Sequence, residues 1–360
     1  MEYQLELIDV AKRYKDFLAV DGINLQIKKG EIVSFLGASG CGKTTTLRMI
    51  AGLIEPTKGM IKIAGKEMNG IPPYKRDISM VFQNYALFPH LSVYENIVYG
   101  LKMRKIKDKK ILMEKAHQMM ELVQLQGVEN RLPKELSGGQ QQRVSLARAM
   151  IVEPKVMLFD EPLSNLDAKL REKTRVEIRN LLKQMNVTAI YVTHDQEEAL
   201  TISDRIAVMN KGVIEQITEP VDLYKKPATK FIADFVGHAN LFEGKICETK
   251  TEEIKMQTFT KKIITVQAKE QEKIKGENIS VIIRPENVQI SIKPFQSQEN
   301  TFKGRIKAKI FLGNTLRLLI GLEEKKELEA DLHVKEMIQC KEGDEIYVYL
   351  PKEELVVVEK

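Results

Sequence analysis

Cysteine is scarce and dispersed. Cys41, Cys247 and Cys340 are the only three in 360 residues, with no C-x-x-C spacing and no paired histidines. A structural zinc site and a disulfide framework are therefore excluded, and a reducing compartment is expected. Long apolar runs are missing as well. Stretches such as 156–159 fall far short of the ~20 residues a bilayer-spanning helix takes, so the chain is not expected to cross a membrane alone. The opening residues Met1-Glu2-Tyr3-Gln4-Leu5-Glu6 have early acids and no basic-then-apolar run, and neither a signal nor a transit peptide is expected. No repeat of roughly 20 to 50 residues and no low-complexity tract is present, which removes solenoids and linker-dominated architectures. A strong excess of one charge is also lacking. The 56 basic and 50 acidic residues leave +6 and read as interspersed, which weakly favours anionic partners and does not indicate nucleic acid.

What is present is an ordinary globular composition, 43% hydrophobic and 29% charged, able to bury a sizeable core. At roughly 100 to 200 residues per domain, the length corresponds to two or three domains. Up to residue 235, short apolar runs alternate with longer amphipathic stretches, the pattern of a sheet flanked by helices. From 240 onwards the texture changes to short β-like segments at 279–283, 288–292, 307–311, 316–320 and 345–350, separated by charged or glycine-containing turns. These read as a small β-barrel or sandwich. Gly237 and Asn240 follow the apolar and aromatic run 231–235, so an α/β domain over 1–235 and a smaller all-β domain over 236–360 are expected.

Residues 30–36 form a buried-strand candidate, and Gly37-Ala38-Ser39-Gly40-Cys41-Gly42-Lys43-Thr44 follow directly. This is the G-x-x-x-x-G-K-[ST] phosphate loop. Its glycines let the backbone curl until successive N–H groups point at phosphate oxygens, and a helix over 45–51 presents its positive end to them. Lys43 adds a point charge for the outer phosphates, and Thr44 a hydroxyl for Mg²⁺. At ordinary glycine usage a chain this long matches the pattern by accident about one time in a hundred. Further on, Asp160 and Glu161 end the apolar run 156–159, at the carboxyl end of a strand, where α/β sheets place ligands. Asp160 suits Mg²⁺ and Glu161 suits polarising a water; an acidic loop is the alternative. A second apolar strand, 188–193, ends at His194, which lands beside those acids if the strands are neighbours and is otherwise a structural histidine. Ser137-Gly138-Gly139-Gln140 opens a helix. Ser137 can cap it and the glycines clear room for a phosphate at the backbone, so the segment reads as a second anion site or as a simple cap.

In order along the chain, the phosphate loop, Gln83, Leu136-Ser137-Gly138-Gly139-Gln140, Phe159-Asp160-Glu161, Ser164-Asn165-Leu166-Asp167 and His194 resemble the ATP-binding cassette (ABC) ATPases. The resemblance covers essentially the whole chain and is nearest to the importer ATPases of the maltose, polyamine and ferric-ion type. It implies a phosphate-loop ABC domain with a helical subdomain, followed by a C-terminal oligonucleotide-fold (OB-like) regulatory region. It also implies that two copies sandwich two ATP molecules with Mg²⁺, each ATP held between Gly37, Ser39, Gly40, Cys41, Gly42, Lys43, Thr44 and Thr45 of one copy and Ser137, Gly138, Gly139 and Gln140 of the other. Tyr14 would stack on adenine, although a tyrosine before a strand is also a common packing residue. Gln83 would sense Mg²⁺ and the attacking water, His194 would contact the γ-phosphate, and Asp167 would communicate between the two sites. The apolar stretch 84–97 is either core of the helical subdomain or a groove for a short helix of a membrane subunit. The partners implied are a second copy, integral membrane permease subunits and an extracellular or periplasmic solute-binding protein, with no nucleic acid, at the cytoplasmic face of the cell membrane.

Cys41 sits inside the loop at a helix N-terminus, so alkylating it is expected to block ATP binding. The competing reading is a soluble ABC ATPase acting on ribosomes or chromosomes. The chromosome type carries a long coiled coil between the positions of Lys43 and Ser137, and no sustained heptads occur there; the ribosome type carries two cassettes. A purely regulatory ATP-binding protein would lack Glu161. Sugar-importer relatives carry a Gly-Ser-Pro and Met-Asn segment after the cassette, where this chain has Gly237-His238-Ala239-Asn240-Leu241-Phe242. A polyamine, ferric ion or small oxyanion such as phosphonate or sulfate is therefore favoured over a sugar.

Overall fold

The computed structural model describes residues 3–258, 261–267, 277–322, 327–336 and 340–359 and divides the chain into two compact units, Met1–Leu223 and Tyr224–Lys360. In the first unit the strands are β1 (Leu5–Tyr14), β2 (Phe17–Ile27), β3 (Ile32–Leu36), β4 (Lys58–Ile63), β5 (Lys66–Glu67), β6 (Ile78–Val81), β7 (Val156–Asp160), β8 (Thr188–Thr193), β9 (Arg205–Asn210) and β10 (Val213–Thr218). They form one sheet in the order β2-β1-β4-β5 and another in the order β10-β9-β3-β8-β7-β6. The first is antiparallel, and the second is parallel except for its edge pair β10/β9.

Side-chain alternation explains how the parallel sheet carries two cores. Val33 and Phe35 of β3, Val156 and Leu158 of β7, and Ile190 and Val192 of β8 join a cluster with Leu5, Leu7 and Ile61 of the antiparallel sheet and Leu47 and Ile50 of α1 (Lys43–Ala51). Their neighbours Ile32, Met157, Phe159, Ala189 and Tyr191 point the other way. Those pack with α2 (Val93–Met103), α3 (Lys109–Leu122), α4 (Gly138–Met150) and α5 (Ala168–Gln184), and with Ile202 of α6 (Gln196–Ile202). Burial on both faces is why these strands are unbroken apolar runs, and why the runs at 156–159 and 188–193 are legible.

The stretch 84–97 is core only in part. Tyr85, Val93 and Ile97 are buried, while Pro89 and His90 stay exposed. Tyr85 and Ala86 have φ of 62° and 47°. Their carbonyls are held from α4, by Ser145 Oγ and Arg148 Nη2 on Tyr85 O, both at 2.9 Å, and by Arg148 Nη1 on Ala86 O at 2.7 Å. Asn96, fully buried, closes the loop. Its Oδ1 accepts from Phe88 N at 2.9 Å, and its Nδ2 donates towards the carbonyls of Phe88, Leu91 and Ser92 at 3.0 to 3.1 Å.

Among the described residues the second unit holds α8 (Lys230–Phe235) and ten strands; α7 (Pro220–Lys225) straddles the division. The strands are β11 (Asn240–Thr249), β12 (Glu253–Thr258), β13 (Ile263–Gln267), β14 (Asn278–Ile283), β15 (Gln289–Ser291), β16 (Thr301–Phe311), β17 (Thr315–Leu322), β18 (Glu327–His333), β19 (Glu345–Tyr349) and β20 (Val356–Val358). They make two antiparallel sheets, β13-β12-β11-β14-β20 and β15-β19-β16-β17-β18, around one core. The five segments expected from sequence fall on β14, β15, β16, β17 and β19. The division comes earlier than the expected 235/236 because Arg284 ties the preceding segment to this unit. Its guanidinium donates to Tyr224 O, Ala233 O and His238 O at 2.8 to 3.0 Å and lies 4.2 Å from the centre of the Tyr224 ring. Burial and a 2.7 Å bond to Glu286 push the Tyr224 phenol up to about 12. Ala233 of α8 also packs on Ile282 and Val358.

Replacing Asn96 with Ala should remove the side-chain partner of four backbone groups around 88–92, of which Phe88 O and Ser92 O keep a backbone donor, and destabilise the first unit by about 1 to 3 kcal/mol. The check is a lower urea midpoint with faster hydrogen exchange at the Phe88 amide.

Candidate active site

The parallel sheet sends its strand ends to one edge. β8 lies between β3 and β7, with Leu36 opposite Thr193 and Asp160 opposite Val192. Residues 37–44, 160–161 and 194 therefore emerge side by side, and β6 next to β7 brings Gln83 to the same edge. The neighbour relation on which the expectation for His194 depended holds.

The loop needs its glycines. A Cβ on Gly37 would come within 2.3 Å of Met209 O and 2.6 Å of Cys41 Sγ, and Gly42, at φ 106°, would place one 2.7 Å from Ala19 O. Gly42 caps α1 with no side-chain acceptor. The first-turn N–H groups of Lys43, Thr44 and Thr45 thus remain available to an anion. Lys43 Nζ donates to Gly37 O at 2.6 Å and Ala38 O at 2.9 Å, which holds a buried ammonium over the loop, and Ser39 and Gly40 are exposed on its rim. Thr44 Oγ1 donates to Asp160 Oδ1 at 3.2 Å. Burial pushes the Asp160 carboxyl up, and the Thr44 bond pulls against that. Glu161 has φ 47°; its N–H donates to Val192 O at 3.0 Å, and its Oε2 lies 3.0 Å from His194 Nδ1.

Gln83 is exposed, and its carbonyl accepts from Asn165 Nδ2 at 2.8 Å. Ser164 Oγ donates to Glu161 O at 2.9 Å. Tyr14 ends β1 with its side chain 44% exposed and Lys12 Nζ 5.1 Å from its ring centre, so a ring face is open to stacking. Ser137 and Gln140 form a reciprocal capping box at the start of α4, and Gly138 and Gly139 lie against Leu166 and Leu170. Asp167 caps α5 through Leu170 N at 3.0 Å. Among the described residues no hydrogen bond joins Ser137, Gly138, Gly139, Gln140 or Asp167 to the phosphate loop, so the site residues fall into two groups within this chain.

Cys41 is turned inward. Its thiol is 6% exposed and packed with Leu47 and Met209, so the loop presents backbone rather than sulfur, and a reagent reaches the sulfur only if the loop opens. Arg171 was not singled out from the sequence. It donates to Leu166 O at 3.0 Å and Asp195 Oδ2 at 3.3 Å, tying the turn before Asp167 to the turn after His194. Its only sequence signal is a position one helical turn beyond Asp167.

A family model described as "ABC transporter" matches residues 20–164, and one described as "TOBE domain" matches 281–358. The spermidine/putrescine import ATP-binding protein of Trichormus variabilis is 46% identical over 88% of this chain and 84% of its own length. The chain belongs to the ABC transporter ATP-binding proteins. It is an ATPase of the importer type with a C-terminal TOBE region. The protein of the same name from Rubrobacter xylanophilus is 44% identical over 88% of this chain and 83% of its own. Among solved structures, the ATP-binding cassette MJ0796, described as a dimeric post-hydrolysis state bound to ADP and phosphate, aligns with a TM-score of 0.54 and 33% identity, covering 60% of this chain and 98% of that one.

With Cys247 exposed and Cys41 and Cys340 buried, a thiol reagent applied to the native ABC ATPase should modify one cysteine quickly and two slowly. Mass mapping of the labelled peptides checks the order, and fast labelling at Cys41 would contradict its burial.

Proposed function

We propose that this ABC ATPase powers import of a polyamine, working as a pair of copies docked on integral membrane permease subunits at the cytoplasmic face of the membrane, with a periplasmic or extracellular solute-binding protein upstream. The polyamine assignment follows the names of its relatives and agrees with the departure from the sugar-importer segment at 237–242. The ribosome or chromosome reading is not favoured by those relatives.

The observation that carries the chemistry is the 3.0 Å contact of Glu161 with His194, beside Thr44 and Asp160. In this reading Lys43 exchanges its two loop carbonyls for the outer phosphate oxygens, while the N–H groups of Gly40, Cys41, Gly42, Thr44 and Thr45 take the rest, with Gly37 and Ser39 shaping the rim. Thr44 and Asp160 would hold Mg²⁺, and Gln83 would serve the same ion. Two protein oxygens suit a hard cation that takes its other ligands from phosphate and water, and no cluster of three acidic, histidine or cysteine ligands occurs among the described residues. The bound cation neutralises phosphate charge. Glu161 accepts a proton from the attacking water, and His194 orients that carboxylate and meets the γ-phosphate. Tyr14 stacks on adenine. Ser137, Gly138, Gly139 and Gln140 of the second copy close over the same nucleotide, and Asp167 relays between the two sites. The separation of these five residues from the loop within one chain supports the two-copy arrangement.

Glu161→Gln should keep ATP affinity within a few-fold and slow hydrolysis by about 10² to 10⁴, because an amide cannot take the proton. Nucleotide titration and single-turnover rates measure the two separately, and undiminished turnover removes Glu161 from the base role. For the biological assignment, purification from native membranes in mild detergent should recover a multi-span permease, and in proteoliposomes ATP turnover should rise with a polyamine-loaded binding protein. Recovery of ribosomal or chromosomal proteins alone would overturn the importer reading.

A further inference from the structure

The net charge of +6 is concentrated rather than interspersed. Residues 102–110 carry Lys102, Arg104, Lys105, Lys107, Lys109 and Lys110 against the single acid Asp108, a local excess of +5 in the turn between α2 and α3. All six cations are exposed. The turn is anchored from below. Arg104 donates to Val152 O at 2.7 Å and pairs with Asp77 at 3.1 Å, while Ile106 packs into the helical core and its N–H reaches Leu101 O at 3.1 Å. The five lysines form no ion pair among the described residues.

Local stability does not account for them. Lys109 and Lys110 occupy the first turn of α3, where the helix end is already positive and cations are unfavourable; only the Asp108 cap, accepting from Lys110 N at 2.8 Å, offsets this. Apolar side chains share the stretch, with Met103, Ile111 and Met113 exposed by 63%, 43% and 53%. Ammonium groups interleaved with exposed methionine and isoleucine suit a surface with phosphates outside and hydrocarbon just beneath. A nucleic acid would use the lysines, but residues 102–113 contain no aromatic ring to stack on bases, and the apolar side chains would find no counterpart.

We propose that the 102–113 turn is a docking surface for anionic phospholipid headgroups, by which this subunit rests on the membrane beside its permease. The inference extends the importer reading, and its test uses the chain without a permease, so failure here leaves that reading standing.

The full chain is floated with vesicles of phosphatidylcholine, either pure or with about a third phosphatidylglycerol. It should bind the anionic vesicles, lose binding as salt is raised, and ignore the neutral ones. K105Q/K107Q/K109Q/K110Q should bind at least about a hundredfold more weakly, at roughly five-fold per lysine, with ATP turnover unchanged as the check on folding. K28Q/K29Q/K66Q/K75Q, with the same loss of charge elsewhere on the first unit, should bind as the parent does. M103S/I111S should weaken binding while leaving its salt dependence in place. Equal binding to both vesicle types, equal loss in the two lysine variants, or turn-dependent binding to a fluorescent RNA without binding to vesicles would each overturn the proposal.

Discussion

The parallel pairing of β8 between β3 and β7 is the constraint on which the catalytic edge depends. It brings the phosphate loop, the Asp160-Glu161 pair and His194, which lie spread along residues 37–194, into one row. Because side chains alternate, a register slip of one residue would exchange the faces of Ile190 and Tyr191 and empty one core into the other. The two clusters on either side of the sheet therefore hold the strand ends in line. Catalytic geometry at the edge is underwritten by ordinary apolar packing well below it.

The proposed catalytic group was legible largely because its acids and histidine sit where an apolar run stops, and a run buried on both faces announces itself. Asp160, Glu161 and His194 follow that rule directly, Lys43 and Thr44 lie a loop's length beyond β3 at the start of α1, and β6 adds Gln83 by adjacency. Elsewhere the physics is less local. In β11 the inward positions include Asn240 and Gly244, the latter because a Cβ there would come within 2.3 Å of Gln257 O. The alternation that marks a strand is thereby erased. The unit boundary was hidden for a related reason: the apolar run at 231–235 signals an ending, whereas its buried Ala233 packs on Ile282 and Val358 of the second unit. Cys41 shows that position within a motif does not tell which way a side chain turns.

Arg171 and Asn96 are further cases where the chain's polar bookkeeping, not its pattern, does the organising. Each spends one side chain on backbone groups or acids of a separate turn, and neither carries a periodic or motif signal. The lysines of 102–110 escaped notice differently. Averaged over the chain they vanish into a near-balanced charge count, and only their exposure, their lack of pairing and their place against a helix dipole separate them from solvated surface.

Glu161 adopts a left-handed backbone, φ 47°, that a side chain with a Cβ occupies at a cost of about 1 kcal/mol or more. Glycine would relieve that strain. At this position a screen for thermal tolerance and a screen for turnover would select opposite residues. If Glu161 is the base proposed above, a cassette evolved for thermal tolerance alone would be free to lose its chemistry at this position while still folding.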